Sequence, residues 1–177
     1  MRIWDVNTHD SKVLPIDDHP TNKLGWASVA ISPDARFIAA GYSFNAVVRI
    51  WDVASGTLVN RLYGHGDGVL SVAFTPDGKG LVSGLRDGRL KCWELNMTTN
   101  NARNAGGPFS ECILDFKGHK DWVFHVAISR DGQWIVSGSR DDNVRLWDKY
   151  GRAQLMLQGH KSSGARLCLQ IRYDLML

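Results

Sequence analysis

The sequence of 177 residues has few of the features that mark secreted, membrane-spanning or metal-binding proteins. It contains three cysteines, Cys92, Cys112 and Cys168, without a C-x-x-C motif, so neither a disulfide framework nor a metal site is indicated. The start, MRIWDVNTHD, lacks the apolar stretch of a signal peptide, and no segment resembles a membrane span. We therefore expect a soluble intracellular protein with reduced thiols and no membrane contact.

The sequence also lacks a large excess, or a cluster, of charges of one sign. The 21 basic residues are scattered among 18 acidic ones, the net charge is +3, and no run of five like charges occurs. Because the basic residues do not follow one strand or helix, direct binding of nucleic acid is not indicated. The stretch GHGDG lacks the lysine and the helix of a phosphate-binding loop, so we expect no cofactor and no small-molecule substrate.

An internal repeat is the main positive feature of the sequence. Trp-Asp or Trp-Glu pairs begin at Trp4, Trp51, Trp93 and Trp147, and Gly-His pairs begin at Gly64, Gly118 and Gly159. An offset of 28 residues separates His65 from Trp93 and also His119 from Trp147. An offset of 22 residues separates His65 from Asp87 and also His119 from Asp141. Fixed internal offsets indicate a repeating supersecondary unit.

Each repeat consists of short β-branched and aromatic runs between Asp-Gly turns. GVLSVAF is followed by the turn TPDG, and WVFHVAI is followed by SRDG, which favours strands over helices. Four such strands in about forty residues, with Gly-His and Trp-Asp signatures, are typical of a propeller blade. Residues 1 to about 161 resemble the WD40 family of β-propellers.

The resemblance implies an all-β fold, a propeller fragment with about three full four-stranded blades and partial blades at both ends. The expected parts are the end of a preceding blade (1–16), a degenerate blade (17–62), a blade with an Asn-rich insertion at 95–110 (63–116), another blade (117–158), and the start of a further blade with a divergent tail (159–177). Such an incomplete ring exposes strand edges, so we expect the isolated chain to be marginally folded and not to repress when tethered to a promoter.

Two segments depart from the repeat. The degenerate blade has DHPTNKLGW in place of Gly-His, Ala40 in place of the strand serine and Asn45 in place of the turn aspartate, and it keeps only Trp51. The tail at 162–177 alternates apolar and polar residues and could form one substitute strand, but a poorly ordered foreign segment is the favoured interpretation.

The stretch from Ser137 to Lys149, with His119 upstream, contains the residue types of a hydrolytic triad. The resemblance implies instead that these residues form buried structural hydrogen-bond sets. One set is His65, Ser83, Asp87 and Trp93, and the other is His119, Ser137, Asp141 and Trp147. A nucleophile is needed once, whereas this set occurs twice, and a buried imidazole and indole need hydrogen-bond partners. We therefore expect no catalytic residue and no enzyme activity.

The last repeat, the segment VAISPDARFIAAG and the Asn-rich insertion narrow the resemblance to the C-terminal propeller of the fungal general transcriptional corepressors, which are related to Groucho. This resemblance implies a nuclear scaffold that is recruited by DNA-binding repressors and contacts histone tails and deacetylases. The alternative is a WD-repeat adaptor of another complex, such as a ubiquitin-ligase substrate receptor.

Loops that follow each Gly-His pair, or join the second and third strands, are expected at one end of the propeller. Their candidate partner-binding residues are Tyr42, Phe44, Arg86, Trp122 and Arg140, because aromatic and arginine residues commonly anchor interfaces. The alternative is that both arginines pair with local carboxylates and Trp122 covers the core. His125 stands where the other blades have Ser28 and Ser71, and we expect it to be buried or channel-facing rather than a metal ligand.

Overall fold

The computed structural model describes residues 2–15, 27–97 and 110–158, and these ranges contain strands and no helix. The strands are β1 (Arg2–Trp4), β2 (Ser11–Val13), β3 (Ala27–Ile31), β4 (Phe37–Tyr42), β5 (Asn45–Asp52), β6 (Leu58–Leu62), β7 (Val69–Phe74), β8 (Gly80–Leu85), β9 (Leu90–Glu94), β10 (Glu111–Phe116), β11 (Val123–Ile128), β12 (Trp134–Ser139), β13 (Asn143–Asp148) and β14 (Ala153–Gln158).

Twelve of the strands form three antiparallel, four-stranded sheets, each in simple sequence order. We call them the first blade (β3–β6), the middle blade (β7–β10) and the last blade (β11–β14). The strands β1 and β2 pair with each other and form a half-blade. This arrangement confirms the predicted all-β fold with about three full four-stranded blades. The degenerate Gly-His region, most of the Asn-rich insertion and the divergent tail lie outside the described residues.

The same tight turn joins the first two strands of every blade. In the middle blade the Thr75 hydroxyl donates to Asp77 at 2.6 Å, and Gly78 adopts a φ of 70°. Gly132 has the same φ of 70° in the last blade, whereas the first blade places Ala35 there with a φ of 56°. Glycine adopts this left-handed conformation without strain, which explains why Asp-Gly pairs marked these turns in the sequence.

The blades stack through their innermost strands, β3, β7 and β11. The Val72 amide donates to the Ser28 hydroxyl at 3.1 Å, and the Val126 amide donates to the Ser71 hydroxyl at 3.1 Å. The same bond therefore recurs at both junctions between blades. Since these amides point out of their own sheets, the serines satisfy donors that would otherwise be buried without a partner.

Apolar side chains fill each junction between neighbouring sheets. Between the first and middle blades they include Phe37, Leu62, Val72, Phe74 and Trp93. Between the middle and last blades they include Val82, Leu90, Phe116, Val126 and Trp147. The half-blade packs Leu14 and Ile3 against Ala40, Tyr42 and Trp51 of the first blade. Burying each large apolar side chain contributes about 1.5–3 kcal/mol, so the junctions are the main source of stability.

The part of the chain that the structure describes contains no helix long and apolar enough to cross a membrane.

Candidate protein-interaction site

The last blade assembles one of the two predicted hydrogen-bond sets completely. The Trp147 indole N–H donates to the Ser137 hydroxyl at 2.8 Å, and Ser137 lies 2.8 Å from His119 Nε2. His119 Nδ1 lies 3.0 Å from the Asp141 carboxylate, which also accepts from the Lys120 amide at 2.9 Å. A single neutral tautomer, with the proton on Nδ1, satisfies the whole chain of bonds.

These distances would suit a hydrolytic triad, but the burial of the set does not. The exposed fraction of Ser137 is 0%, and the side chain of His119 is likewise fully covered. Burial lowers the pKa of His119, although its bond to Asp141 opposes this effect. A nucleophile must reach a substrate, and no substrate carbonyl can approach Ser137 in this position. The arrangement is therefore suited to holding the strands together.

The middle blade assembles the second set only in part. His65 Nε2 lies 3.1 Å from the Ser83 hydroxyl, which also accepts from the Trp93 indole at 3.1 Å. His65 Nδ1 is buried without a hydrogen-bond partner of ordinary geometry. Burial lowers the pKa of His65 to about 4, and Lys91 adds to this effect, while nearby carbonyls of Ala46 and Leu62 oppose it. His65 is therefore held neutral without help from a carboxylate.

Asp87 is the residue that does not join its set, and it is not buried as expected. Its side chain is 27% exposed, whereas that of Asp141 is 6% exposed. The difference in exposure is explained by the residue two positions after each aspartate. Arg89 draws the Asp87 carboxylate, with its Nε 3.6 Å away and its amide donating at 3.0 Å. The amide of the corresponding Asn143 also donates to the Asp141 carboxylate, at 3.1 Å, but Asn143 is uncharged and its side chain bonds the Asp141 carbonyl, so no cation in the turn competes with His119.

In the first blade the tryptophan indole N–H is satisfied by an acceptor that the sequence analysis did not predict. Ala40 takes the place of the serine, so the Trp51 indole has no hydroxyl to bond. Its N–H instead donates to the Pro15 carbonyl at 2.9 Å. The half-blade therefore supplies the acceptor that the degenerate blade lacks.

A row of stacked arginine and aromatic side chains runs across the loops of all three blades. We call Phe44, Arg86, Trp122 and Arg140 the Arg–aromatic row. The Arg86 guanidinium carbon lies 4.6 Å from the centre of the Trp122 ring and 5.9 Å from that of Phe44. The Arg140 guanidinium carbon lies 5.1 Å from the same Trp122 ring. Four of the five predicted partner-binding residues are thus brought together.

The backbone brings these loops into contact. The Arg86 amide donates to the Gly68 carbonyl at 3.0 Å, and Gly68 lies so close to the Ser43 carbonyl that an added Cβ would be 1.8 Å from its oxygen. Arg86 Nη1 donates to the same Ser43 carbonyl at 3.4 Å. Only glycine permits this approach, so Gly68 positions Arg86 between the two rings.

Contacts within the chain leave much of the Arg–aromatic row free to contact another protein. Arg140 Nε is 3.8 Å from Asp121, a loose contact in which the arginine side chain is 52% exposed. Among the described residues Arg86 forms no ion pair, and its Nε is buried without a partner. Phe44 is 66% exposed. Each stacking contact contributes about 0.5–1 kcal/mol at exposed sites, enough to orient the guanidinium groups but not to occupy their donors.

The structure removes one residue from the predicted partner-binding surface and adds another. Tyr42, a predicted contact, is 7% exposed and packs beneath Arg49 in the cluster with Trp51, so it is a core residue. Burial raises the pKa of its hydroxyl. Phe124, which the sequence analysis missed, is 46% exposed and meets the Trp122 ring edge-on at 6.0 Å. The available signal was its place two residues after Trp122, at the start of a run with the alternation of a strand.

No three His, Cys, Asp or Glu side chains converge in residues 2–15, 27–97 and 110–158. His125 is half-buried on β11, at the position equivalent to Ser28 and Ser71.

Comparison with known families gives a match over most of the chain. The family model described as "WD domain, G-beta repeat" matches residues 10–52, 56–94 and 110–148. Each matched segment begins in the outermost strand of one sheet and continues through the three inner strands of the next. The sequence unit is therefore offset by one strand from the structural blade.

Individual relatives match either a short segment of the chain at high identity or most of the chain at lower identity. The transcriptional repressor rco-1 of Neurospora crassa is 55% identical over 53 residues, which cover 29% of this chain and 9% of that protein. The nuclear distribution protein nudF of Aspergillus niger is 28% identical over 90% of this chain and 38% of its own length. The WD repeat and SOCS box-containing protein 1 of Xenopus tropicalis is 33% identical over 71% of this chain and 27% of its own length. The chain thus matches well under half of each relative.

Proposed function

The chain belongs to the WD40 family, whose repeats are generally non-enzymatic scaffolds for protein–protein interaction, and from this premise we propose that it acts in transcriptional repression. In this proposal the chain is part of a nuclear corepressor that DNA-binding repressors recruit. The strong local similarity to the Neurospora repressor supports this role. The buried serine–histidine–aspartate set supports the absence of a catalytic function.

The Arg–aromatic row is the observation that carries the proposal. Phe44 and Arg140 are exposed and Arg86 and Trp122 are half-buried, and aromatic and arginine side chains held in one orientation at a surface are typical of interface anchors. The row spans three blades, so a partner that covers it contacts all three at once. Stacking holds the guanidinium groups in place before binding, and this lowers the entropy lost on association.

The chemistry of the row defines the partner segment. Arg86 and Arg140 present N–H donors beside the apolar faces of Phe44 and Trp122. A peptide with carboxylates next to an apolar side chain satisfies both features. We therefore propose that the row binds an acidic, partly apolar segment of a repressor, and that basic histone tails contact a different part of the protein.

The test compares two charge reversals in the full chain. A two-hybrid screen against DNA-binding transcription factors should recover partners through the wild-type chain. The double variant Arg86→Glu and Arg140→Glu should lose them, because two donors become repelling carboxylates. The matched control is Arg152→Glu, an arginine that is also exposed and stacked on an aromatic ring, Tyr150, in the turn between β13 and β14. Equal binding by the double variant and the control would refute the assignment.

A second function has support from a specific observation. The SOCS box-containing relative matches 71% of the chain, far more than the Neurospora repressor does. An adaptor that presents substrates to a ubiquitin ligase would use the same row for its substrate. Recovery of ubiquitin-ligase subunits and their substrates in place of transcription factors, in the same screen, would favour this alternative.

A further inference from the structure

The two equivalent turns hold their aspartates by the same backbone bond. The Arg89 amide donates to Asp87 Oδ1 at 3.0 Å, and the Asn143 amide donates to Asp141 Oδ1 at 3.1 Å. Each carboxylate therefore has one oxygen anchored in its turn. The middle and last blades differ in the surroundings of the second oxygen, Oδ2, so the two arrangements are related by a rotation of the aspartate side chain.

The second oxygen has a different partner in each blade. Oδ2 of Asp141 lies 3.0 Å from His119 Nδ1 and accepts from the Lys120 amide at 2.9 Å. Oδ2 of Asp87 instead lies 3.6 Å from Arg89 Nε, a distance longer than a hydrogen bond. The last blade therefore shows the completed arrangement, and the middle blade shows the same carboxylate loosely held by a cation.

His65 lacks an acceptor for its second ring nitrogen. It is 6% exposed, and among the described residues its Nδ1 has no hydrogen-bond partner, although the carbonyls of Ala46 and Leu62 lie near the ring. The Asp87 carboxylate is already beside this loop, since a Cβ added to Gly66 would lie 3.2 Å from Asp87 Oδ2. A buried donor without an acceptor is unfavourable, so His65 favours an approach of this carboxylate.

Arg89 opposes that approach, and its guanidinium group is accessible from outside. Its Nη1 donates to Asp115 at 3.0 Å, and its side chain is 43% exposed. A guanidinium group has five N–H donors, so an anion can bind the exposed donors while Asp115 keeps its bond. The loose contact with Asp87 is the one that such an anion replaces.

We propose that Asp87 is a two-position switch that responds to an anionic group bound at Arg89. Without the anion, the carboxylate pairs with Arg89 and His65 lacks its acceptor. A carboxylate of an acidic peptide takes the Arg89 donors and repels the like charge of Asp87, which turns to His65 Nδ1. The completed set then ties the turn to the Gly-His loop, so that binding at the surface makes the middle blade harder to unfold.

The acidic nature of the peptide rests on the proposed function. Arg89 follows Arg86 of the Arg–aromatic row by three positions, in the segment that joins β8 to β9. An acidic segment bound on the row therefore has Arg89 within the same loop. The two positions of Asp87 follow from the geometry of the middle and last blades, and they can be tested without any partner.

Histidine NMR of the full chain tests the switch by itself. A ring N–H that donates to a buried carboxylate gives a downfield proton that exchanges slowly with water, and His119 should give one in the wild-type chain. Arg89→Asn, which copies Asn143 of the last blade, should add a second such proton from His65 and raise the urea midpoint. Arg89→Gln should do the same, because it removes the charge but keeps most of the side-chain length.

Two further variants assign the effect. The double variant Arg89→Asn and Asp87→Ala should lose the second proton, because Asp87 is its acceptor. The matched control Arg152→Asn removes an exposed arginine that pairs with Asp148 at 2.8 Å, and it should leave His65 unchanged. A His65 signal that stays the same in both Arg89 variants, or a second proton that persists without Asp87, would overturn the switch.

A tetraglutamate peptide supplies the anion at constant ionic strength. Added to the wild-type chain, it should move the His65 signals towards those of Arg89→Asn and raise the urea midpoint, whereas Arg89→Asn itself should not respond. A tetraglutamine peptide is the uncharged control and should have no effect. A tetraglutamate peptide that leaves His65 unchanged would overturn the response to anions. Failure of the proposed function appears separately, as unchanged partner binding by the double charge reversal in the row.

Discussion

Asp87 and Asp141 occupy equivalent turns but have different surroundings, and they offer a direct comparison of one carboxylate in two roles. Asp141→Ala should lower the free energy of unfolding by about 2–3 kcal/mol, because it leaves His119 Nδ1 and the Lys120 amide without their acceptor. Asp87→Ala should cost less than about 1 kcal/mol, because its partner Arg89 is an exposed ion-pair residue. Urea denaturation of both variants measures the difference, and equal costs would contradict the observed geometry.

The neutral state of His65 makes stability depend on pH. Its pKa is about 4 in the folded protein against 6.5 for the ordinary side chain, so between these values the unfolded chain binds a proton that the folded chain does not. Stability should therefore be fully present above about pH 6.5 and should decline as pH falls towards 4, by about 3 kcal/mol for this residue.

Substitution of His65 shows how much of the loss of stability at low pH comes from this residue. His119, whose pKa is also lowered, adds a loss of the same sign. The variant His65→Gln should show a shallower decline over the same range, measured as the urea midpoint at several pH values. A slope unchanged from the wild type would show that His65 is not the titrating group.

At the scale of strands and loops, the Asn-rich insertion has its two ends tied together. The Asn60 side-chain amide donates to the Ser110 hydroxyl at 2.7 Å and to the Asn96 carbonyl at 3.4 Å. The Asn96 amide donates to the same Ser110 hydroxyl at 3.3 Å. The join between β9 and β10 is thus closed without the residues between, which lie outside the described ranges.

Deletion of residues 98–106 should therefore spare both folding and partner binding. The shorter loop also loses less entropy on closure, so the free energy of unfolding should stay within about 1 kcal/mol of the wild type. Asn60→Ala is the contrasting change, because it removes the side chain that joins both ends, and it should cost about 1–2 kcal/mol. Thermal melting checks both. Unfolding of the deletion variant would show that the insertion packs against the core.

The strands and turns could be predicted because their signals are local. GVLSVAF and WVFHVAI contain β7 and β11, and the Asp-Gly turns follow them directly. The Arg–aromatic row could be predicted only as a set of residue types. That Arg86 lies between Phe44 and Trp122 depends on how three blades stack, and no local pattern encodes it. The burial of Tyr42 likewise follows from neighbours that only the folded chain brings close, whereas the turn of Asp87 towards Arg89 has a local cause, the charged residue two positions later.

At the scale of the whole molecule, the middle blade is the one described sheet that has a complete four-stranded blade on either side. It contributes to the clusters on both of its sides, whereas the last blade has Trp134 and Leu157 exposed among the described residues. In a stacked array, stability depends on contacts between neighbours, and the end units open first. Backbone amides of β7 and β8 should therefore exchange hydrogen most slowly, and those of β13 and β14 faster.

Hydrogen exchange followed by mass spectrometry gives this order directly. Peptides from the middle blade should keep their protection longest. Equal protection of β14 and β8 would mean that the array opens as one unit, which would contradict the expected order.

The offset between the sequence unit and the blade bears on how such a chain can lengthen in evolution. Each matched segment supplies the outer strand of one sheet and the three inner strands of the next, and each junction uses the same serine-to-amide bond. A gene segment copied in tandem would therefore encode a new outer strand for the blade before it and a new inner part for the blade after it. A unit copied with Ser28 or Ser71 would arrive with both sides of the junction already matched, whereas a unit copied from the last blade would bring His125 to the position of the serine.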